Sequence, residues 1–332
     1  MTHAKIPDRA NGGVNNDGEI LIGIQRSNTG SIPIMKHLYR TIAILGIFVA
    51  LGGQAVAVRA YPSRSQIRQT TIGPMNAEDY FNRALLKVLQ KDYQGAIADF
   101  TQTLRIDPDL AEAYYNRGLA YDFWGERQAA IEDYGQTLKL KPGYFQAYVN
   151  RGAAQLELGN YQAAIEDFDR ALRLNPNDGL AYSNRGNARL ALGDRRGAIA
   201  DYTRSIQLDP SDAHSYYNRG NARVLLQDHQ TALTDFDRAI QLQPHYGKAY
   251  NNRGLARYQL GDLEGALQDW RTALQLDPKD AHAYTNRGQA RYDRGDLQGA
   301  LQDFQQAADL FAEQGADASY RKAIETIEAL KR

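Results

Sequence analysis

The 332-residue chain carries 39 Lys and Arg against 39 Asp and Glu, and it contains no cysteine. The balanced charge argues against nucleic acid as a partner, because phosphate binding draws on an excess of basic side chains. The missing thiols exclude disulfides, thiolate metal sites and a cysteine nucleophile. A chain of this length forms two or more domains or else a repeat array.

The N-terminal part of the chain divides into three stretches. Residues 1–34 are rich in Gly, Asn and Asp without a sustained period, and we expect a disordered extension. Residues 35–60 begin with basic side chains, continue through an apolar stretch and end in small residues, an order typical of a signal peptide or a membrane anchor. Residues 61–76 contain Pro, Ser, Arg and a Gly-Pro pair, which predicts a linker.

The segment 35–60 predicts that the protein is exported (periplasmic, lumenal or secreted) or membrane-anchored, with membrane contact only through this N-terminal segment. Its length leaves open whether it is cleaved or retained. The internal Met35 also leaves open whether the protein starts there or at Met1.

From residue 77 onward the sequence repeats with a period of 34 residues. Most copies have Gly at repeat position 15 followed by Asp or Asn, as in Gly159-Asn160, which ends one helix and caps the next. Proline at repeat position 32, as in Pro176, ends the second helix. Each unit is therefore predicted to be a helical hairpin. The seven units are 77–110, 111–144, 145–178, 179–212, 213–246, 247–280 and 281–314.

The pattern within one unit resembles the tetratricopeptide repeat, which has an aromatic at position 4, Gly at 8, Ala at 20, an aromatic at 24 and Pro at 32. The resemblance covers residues 77–314 and implies an all-α, right-handed α-solenoid of seven helix-turn-helix units. Apolar residues at helical spacing in 315–332 predict a capping helix that covers the last exposed face. In the third unit the pattern is carried by Tyr148, Gly152, Ala164, Phe168 and Pro176.

A helical wheel of the first helix places repeat positions 3, 4, 7, 8, 10, 11 and 14 on one arc, which must pack against the second helix and the next unit. Tyr at position 4 is therefore predicted to be core. Arg at position 7 falls in the same arc and needs an acidic partner, since an unpaired buried charge is costly. Asp at position 23 is present in every unit, so we predict a ladder of Arg–Asp pairs. The arginines are Arg83, Arg117, Arg151, Arg185, Arg219, Arg253 and Arg287.

Repeat positions 2, 5, 6, 9, 12 and 13 form the other arc, which by the family resemblance lines a concave groove that holds a peptide or helix. Position 6 is Asn in every unit, and a side-chain amide can both donate to and accept from a peptide backbone. The alternative is that these amides bond a neighbouring helix or backbone. The asparagines predicted to bind a partner are Asn82, Asn116, Asn150, Asn184, Asn218, Asn252 and Asn286.

The other positions of this arc vary between units, which is where specificity for the partner is expected. Position 5 is never Lys or Arg, so the sequence does not support the subtype of the family that clamps a terminal carboxylate. The aromatic residues predicted to take part in partner binding are Phe81, Tyr115, Phe123, Tyr217, Tyr258 and Tyr292.

No nucleotide-binding loop, dinucleotide motif, zinc-protease motif or nucleophile elbow occurs, and the six histidines are scattered and expected to be solvated. We therefore expect no enzymatic activity, no metal and no cofactor. The sequence predicts an interaction scaffold that binds a protein or peptide of unknown identity in the concave groove. The alternative is a structural subunit of a membrane-associated complex that assembles through the convex face and the ends.

Overall fold

The computed structural model describes residues 75–331, and this part of the chain consists of helices joined by turns. The predicted signal or anchor segment 35–60, the extension before it and most of the linker lie outside these residues. None of the described helices is both long enough and apolar enough to cross a membrane. Contacts divide the described chain into an N-terminal and a C-terminal unit, with the boundary between Asn175 and Pro176.

The N-terminal unit contains three helical hairpins in which each first helix packs against its second helix, and within the unit the second helices α2 and α4 pack against the first helices that follow them. This arrangement is the one the repeat pattern predicts. The helices are α1 (Ala77–Leu89), α2 (Tyr93–Ile106), α3 (Ala111–Trp124), α4 (Arg127–Leu140), α5 (Phe145–Glu157) and α6 (Tyr161–Leu174).

The C-terminal unit contains four hairpins of the same kind and one further helix, which packs against the last hairpin as predicted for a cap. The all-α helical-repeat fold is thus confirmed. The helices are α7 (Gly179–Ala191), α8 (Arg195–Leu208), α9 (Ala213–Leu225), α10 (His229–Leu242), α11 (Gly247–Gln259), α12 (Leu263–Leu276), α13 (Ala281–Asp293), α14 (Leu297–Glu313) and α15 (Asp317–Lys331).

The turn inside each hairpin forms where the sequence predicts it. Gly193 adopts a positive φ of 83° after α7, and Asp194 then caps α8 by accepting a hydrogen bond from the backbone of Gly197 at 2.9 Å. Gln227 takes the same left-handed conformation in the fifth repeat without a glycine. The expected cap by Asn160 is absent, because its side chain makes no hydrogen bond at the start of α6.

The core of each hairpin is built around the aromatic residue at repeat position 24. Phe236 is completely buried against Gly220, and a Cβ at Gly220 would lie 2.7 Å from the Phe236 ring. Glycine is present at repeat position 8 of the later units because the ring fills the space that a side chain would occupy, and the first unit has the next smallest residue, Ala84. Only small residues therefore fit where the first helix crosses the aromatic ring.

The predicted Arg–Asp ladder is confirmed in every hairpin. Arg253 contacts Asp269 with two parallel hydrogen bonds, Nε to Oδ2 at 2.9 Å and Nη2 to Oδ1 at 2.5 Å. The aspartates are nearly fully buried, whereas the arginine side chains retain more exposure than the wheel predicts, from 13% for Arg219 to 45% for Arg83. The pairs are Arg83–Asp99, Arg117–Asp133, Arg151–Asp167, Arg185–Asp201, Arg219–Asp235, Arg253–Asp269 and Arg287–Asp303.

The tyrosines at repeat position 4 are half-buried rather than core residues, which corrects the sequence prediction. The guanidinium carbon of Arg219 lies 5.6 Å from the centre of the Tyr216 ring, a cation–π contact that recurs in the other hairpins. Each tyrosine therefore covers the outer side of an arginine whose inner side is bonded to aspartate.

Candidate functional site

The candidate site is the surface formed by repeat positions 5, 6, 9, 12 and 13 of the first helices, which we call the first-helix face. Neighbouring first helices approach each other directly along this face: α1 contacts α3 in the N-terminal unit, and α7, α9, α11 and α13 follow one another in the C-terminal unit. Side chains from consecutive repeats therefore meet at this surface.

In the N-terminal unit the face is centred on Tyr115. Its hydroxyl accepts a hydrogen bond from Nδ2 of Asn150 at 3.0 Å, and its ring lies 4.8 Å from the ring of Tyr144. Burial raises the pKa of Tyr115 well above its usual range. Asn116 donates to the backbone oxygen of Glu112 on its own helix at 2.7 Å, so its amide holds no other repeat.

In the C-terminal unit the asparagines form a bonded row between repeats. Nδ2 of Asn252 donates to Tyr217 Oη at 3.1 Å and to Asn221 Oδ1 at 2.7 Å. Nδ2 of Asn286 donates to Asn251 Oδ1 at 3.2 Å. Asn218 likewise donates to Asn187 Oδ1 at 3.1 Å. Each of these amides joins position 6 of one repeat to position 5 or 9 of the repeat before it.

Because of these contacts, several residues of the predicted site are less exposed to solvent than the sequence predicts. The exposed fraction is 6% for Tyr217, 5% for Asn252 and 7% for Asn184. The physical reason is that first helices of neighbouring repeats pack side by side, so positions 5 and 6 are shared between two helices. The sequence left open that these amides bond a neighbouring repeat, and Asn150, Asn218, Asn252 and Asn286 do so. Partner binding by the asparagine row stays a prediction.

The remaining predicted aromatic residues are half-buried on or beside the face. Phe123 stacks on Tyr93 with ring centres 5.3 Å apart, and Phe81 packs edge-on against Phe100. The hydroxyl of Tyr258 donates to Asp293 of the next repeat. Tyr292 packs against the cluster that joins α14 and the cap α15.

Two carboxylates on this face, Asp122 on the variable arc of the second repeat and Glu157 on the next first helix, were not among the predicted partner-binding residues. The pKa of Asp122 rises from 3.8 to about 6, because the group is buried and lies near the charge of Glu157, an effect that Arg127 partly offsets. Arg127 Nε donates to Glu157. The available signal was that positions 12 and 13, apolar in most units, are acidic here.

Two histidines differ from the solvated state that the sequence predicts. His214 Nδ1 lies 3.0 Å from Tyr246 Oη, and His282 packs edge-on against Phe311 at 5.2 Å. Burial lowers the pKa of His282, although Asp280 acts in the opposite direction. Across residues 75–331 no group of three or more His, Asp or Glu side chains is arranged to hold a metal ion.

Comparison with known protein families identifies the repeat. A model described as "TPR repeat" matches residues 86–122 and 254–293. Two further models are described as "Tetratricopeptide repeat". One matches residues 111–144 and 145–178, and the other matches residues 183–247. The matched residues together take in more than half of the chain. No curated protein matched the sequence.

Solved structures share the fold at low sequence identity. A tetratricopeptide repeat protein from Parabacteroides merdae has a TM-score of 0.59 and 18% identity, over 77% of this chain and 99% of its own. The C-terminal part of a TPR repeat-containing protein from Cytophaga hutchinsonii has a TM-score of 0.58 and 18% identity, over 74% and 98%. MamA from Desulfovibrio magneticus has a TM-score of 0.50 and 24% identity, over 51% and 96%. At these identities the likeness establishes the fold alone.

Proposed function

Because the chain belongs to the tetratricopeptide-repeat family, we propose that it is an interaction scaffold that binds a polypeptide partner on the first-helix face. The asparagines at position 6 hold the partner's backbone, except Asn252, whose amide is fully used in bonds between repeats. The variable aromatic residues beside them select the partner's side chains. The family membership supports protein binding in general, and the assignment to this face rests on the contacts of the asparagines.

The observation that carries the proposal is the fixed orientation of these amides. Nδ2 of Asn150 and Nδ2 of Asn218 are each bonded to a neighbouring repeat, so the orientation of the carbonyl oxygen is set. Neither carbonyl oxygen accepts a hydrogen bond within the described residues. A peptide backbone supplies the N–H groups that these carbonyl oxygens lack.

The rest of the repeat makes this surface rigid. Arg253 bonds Asp269 in its own hairpin and Asp237 of the preceding hairpin at 2.6 Å, so one side chain fixes two repeats. Arg219 connects Asp235 with Thr203 in the same way. A preorganised surface loses little entropy on binding, which favours recognition of an extended chain.

Two asparagines of the row make no bond to another repeat within residues 75–331, so their replacement tests binding without removing a contact between repeats. Asn116 bonds only its own helix, and Asn82 makes no hydrogen bond within the described residues. The double variant Asn82→Ala, Asn116→Ala of the full chain should keep the wild-type melting temperature but bind the partner, recovered from cell extract by affinity capture, at least about fivefold more weakly. This loss follows from about 0.5 kcal/mol for each net hydrogen bond.

The matched control for this experiment is Gln136→Ala with Gln102→Ala on the second helices. Gln136 is exposed on α4, and Gln102 is half-buried on α2, where its Oε1 accepts from Arg105 of the same helix. The control variant should bind the partner with wild-type affinity. Equal affinity of the asparagine variant and the control variant would contradict the proposed face.

We also propose that residues 35–60 export the protein or tether it to a membrane, so that the scaffold works outside the cytoplasm. The support is the sequence order of basic, apolar and small residues in that segment. Cell fractionation, described with the predictions below, tests this part separately from partner binding.

A further inference from the structure

Two carboxylates of consecutive first helices lie near each other in the N-terminal unit, close enough for the charge of Glu157 to raise the pKa of Asp122. Asp122 is on α3 and Glu157 is on α5, and 35 residues separate them. Two other pairs of residues that are 35 positions apart are hydrogen-bonded. Asn150 Nδ2 donates to Tyr115 Oη at 3.0 Å, and the Tyr258 hydroxyl donates to the carboxylate of Asp293. Asp122 is at the repeat position of Tyr258, and Glu157 is at the repeat position of Asp293. Tyr258 donates a hydrogen bond to its carboxylate partner, whereas ionised Asp122 has no proton to donate to Glu157.

The hydrogen-bonding capacity of this pair is only partly used. Arg127 donates through Nε to one oxygen of Glu157, and the other oxygen, Oε1, is buried without a partner. The Asp122 side chain makes no hydrogen bond or ion pair with any residue that the structure describes. Two acidic groups therefore share one basic side chain, which leaves one negative charge without a partner when both are ionised.

A third polar group points to the same site. The Tyr134 hydroxyl is fully buried and has no hydrogen-bond partner among residues 75–331. In the fourth repeat the equivalent Tyr202 donates to Asn187 Oδ1 at 2.8 Å, but the second repeat has Leu119 at that position, one turn before Asp122. The charge of Asp122 is among the causes that raise the pKa of Tyr134, which places the two groups near each other.

We infer that Asp122, Glu157 and Tyr134 form a subsite for a lysine or arginine side chain of the bound polypeptide; this inference rests on the proposed function. An ammonium or guanidinium group carries several N–H donors, and the two carboxylates have oxygens without donors. Its positive charge balances the second carboxylate, which Arg127 leaves unpaired. The half-buried Leu119 and Phe123 beside Asp122 provide apolar surface for the methylene groups of the ligand.

The alternative occupant is a neutral donor such as water or a peptide N–H. A neutral group would leave the net negative charge of the pair in place, in surroundings where burial makes it costly. A cation removes that cost, so the subsite distinguishes lysine and arginine from glutamine. The experiments therefore compare a cationic ligand with a ligand that cannot balance the charge of the pair.

The first test uses n-butylammonium chloride as the probe and the full chain labelled with ¹³C at the side-chain carboxyls of aspartate. The Asp122→Asn variant identifies the Asp122 signal. The probe should lower the titration midpoint of Asp122 by at least half a pH unit relative to sodium chloride at the same ionic strength. Equal midpoints of Asp122 in the two salts would overturn the inference.

The second test separates this subsite from peptide binding in general. Four pools of nine-residue peptides, randomised except for a central Lys, Arg, Gln or Glu, are passed over the immobilised full chain. The Lys and Arg pools should be retained at least about tenfold better than the Gln pool, and this preference should disappear in the double variant Asp122→Asn, Glu157→Gln. Equal retention of all pools would overturn the cation subsite and leave the proposed function standing. If no peptide pool is retained but butylammonium still shifts the Asp122 midpoint, the ligand is not a polypeptide. That result would overturn both the proposed function and the subsite for a peptide side chain.

Discussion

The amide of Asn252 donates a hydrogen bond to the hydroxyl of Tyr217 across two consecutive repeats, over a distance of 3.1 Å. The same amide also donates to Asn221 of that preceding repeat. An asparagine on the candidate binding surface is therefore also part of the connection between repeats. Predictions for this row must separate the loss of stability from the loss of binding.

Asn252→Ala should destabilise the protein, whereas Asn116→Ala should not. Asn252 loses two hydrogen bonds to the preceding repeat in a buried setting, a cost of about 1 to 3 kcal/mol in the free energy of unfolding. Asn116 loses one bond to its own helix, and the better helix propensity of alanine offsets part of that loss. Urea denaturation followed by circular dichroism compares the two variants. Equal midpoints would show that the inter-repeat amides add nothing to stability.

Arg151→Ala should cost more stability than Arg287→Ala. Asp167 is buried and Arg151 is the cation paired with it, so its loss leaves an unpaired buried charge worth about 2 to 4 kcal/mol. Asp303 keeps a second cation, Arg291, at 2.9 Å, so loss of Arg287 should cost about half as much. Thermal melting of the two variants at pH 7 measures the difference, and the reverse order would refute this account of the ladder.

Asp122→Asn should stabilise the protein at pH 7.5 and have little effect near pH 4. The folded-state pKa of about 6 lies above the ordinary 3.8, so the folded state binds the proton more tightly than the unfolded state. The wild type therefore loses stability as the pH rises from about 4 to 6, on the order of 2 to 3 kcal/mol from this group. The variant lacks that loss.

Melting temperatures of wild type and variant across pH 4 to 8 test this prediction. Asp109→Asn, a change of an exposed carboxylate, is the control and should follow the wild-type curve. A wild-type curve parallel to that of Asp122→Asn over the whole range would contradict the buried acidic pair.

Much of the fold followed from the sequence because the 34-residue period fixes which positions share a helix face. The Arg253–Asp269 pair could be predicted because a basic residue in a packing arc requires an acid on the facing helix. The second cation on that acid, Arg257 at 2.8 Å, was missed, although five units have Lys or Arg at repeat position 11. That signal was present in the sequence.

The candidate site could be predicted only in part. A wheel describes one helix and does not show where two neighbouring first helices share a residue, which is why Tyr217 and Asn252 were expected at the surface and are buried. The proximity of Asp122 and Glu157 likewise depends on how the neighbouring first helices α3 and α5 pack. Once the spacing of 35 residues between touching positions is known, such pairs can be read from the sequence.

Residues 35–60 should direct the protein out of the cytoplasm, because a basic start, an apolar stretch and small residues follow one another there. Cells expressing the full chain with a C-terminal tag are fractionated, and the tagged protein should appear outside the cytosol or in the membrane fraction. A variant lacking 35–60 is the control and should remain in the cytosol. Full-length protein found only in the cytosol would refute export.

Site-specific photo-crosslinking is the most direct test of polypeptide binding on the first-helix face. Benzoylphenylalanine is placed in the full chain at Phe123 or Tyr292 on the face, and at Gln136 or Gln302, which are exposed on second helices, as controls. Irradiation of the producing cells should give a crosslinked polypeptide from the two face positions and little from the two controls. Crosslinks from Gln136 and Gln302 alone would contradict binding on this face and favour assembly through the opposite surface.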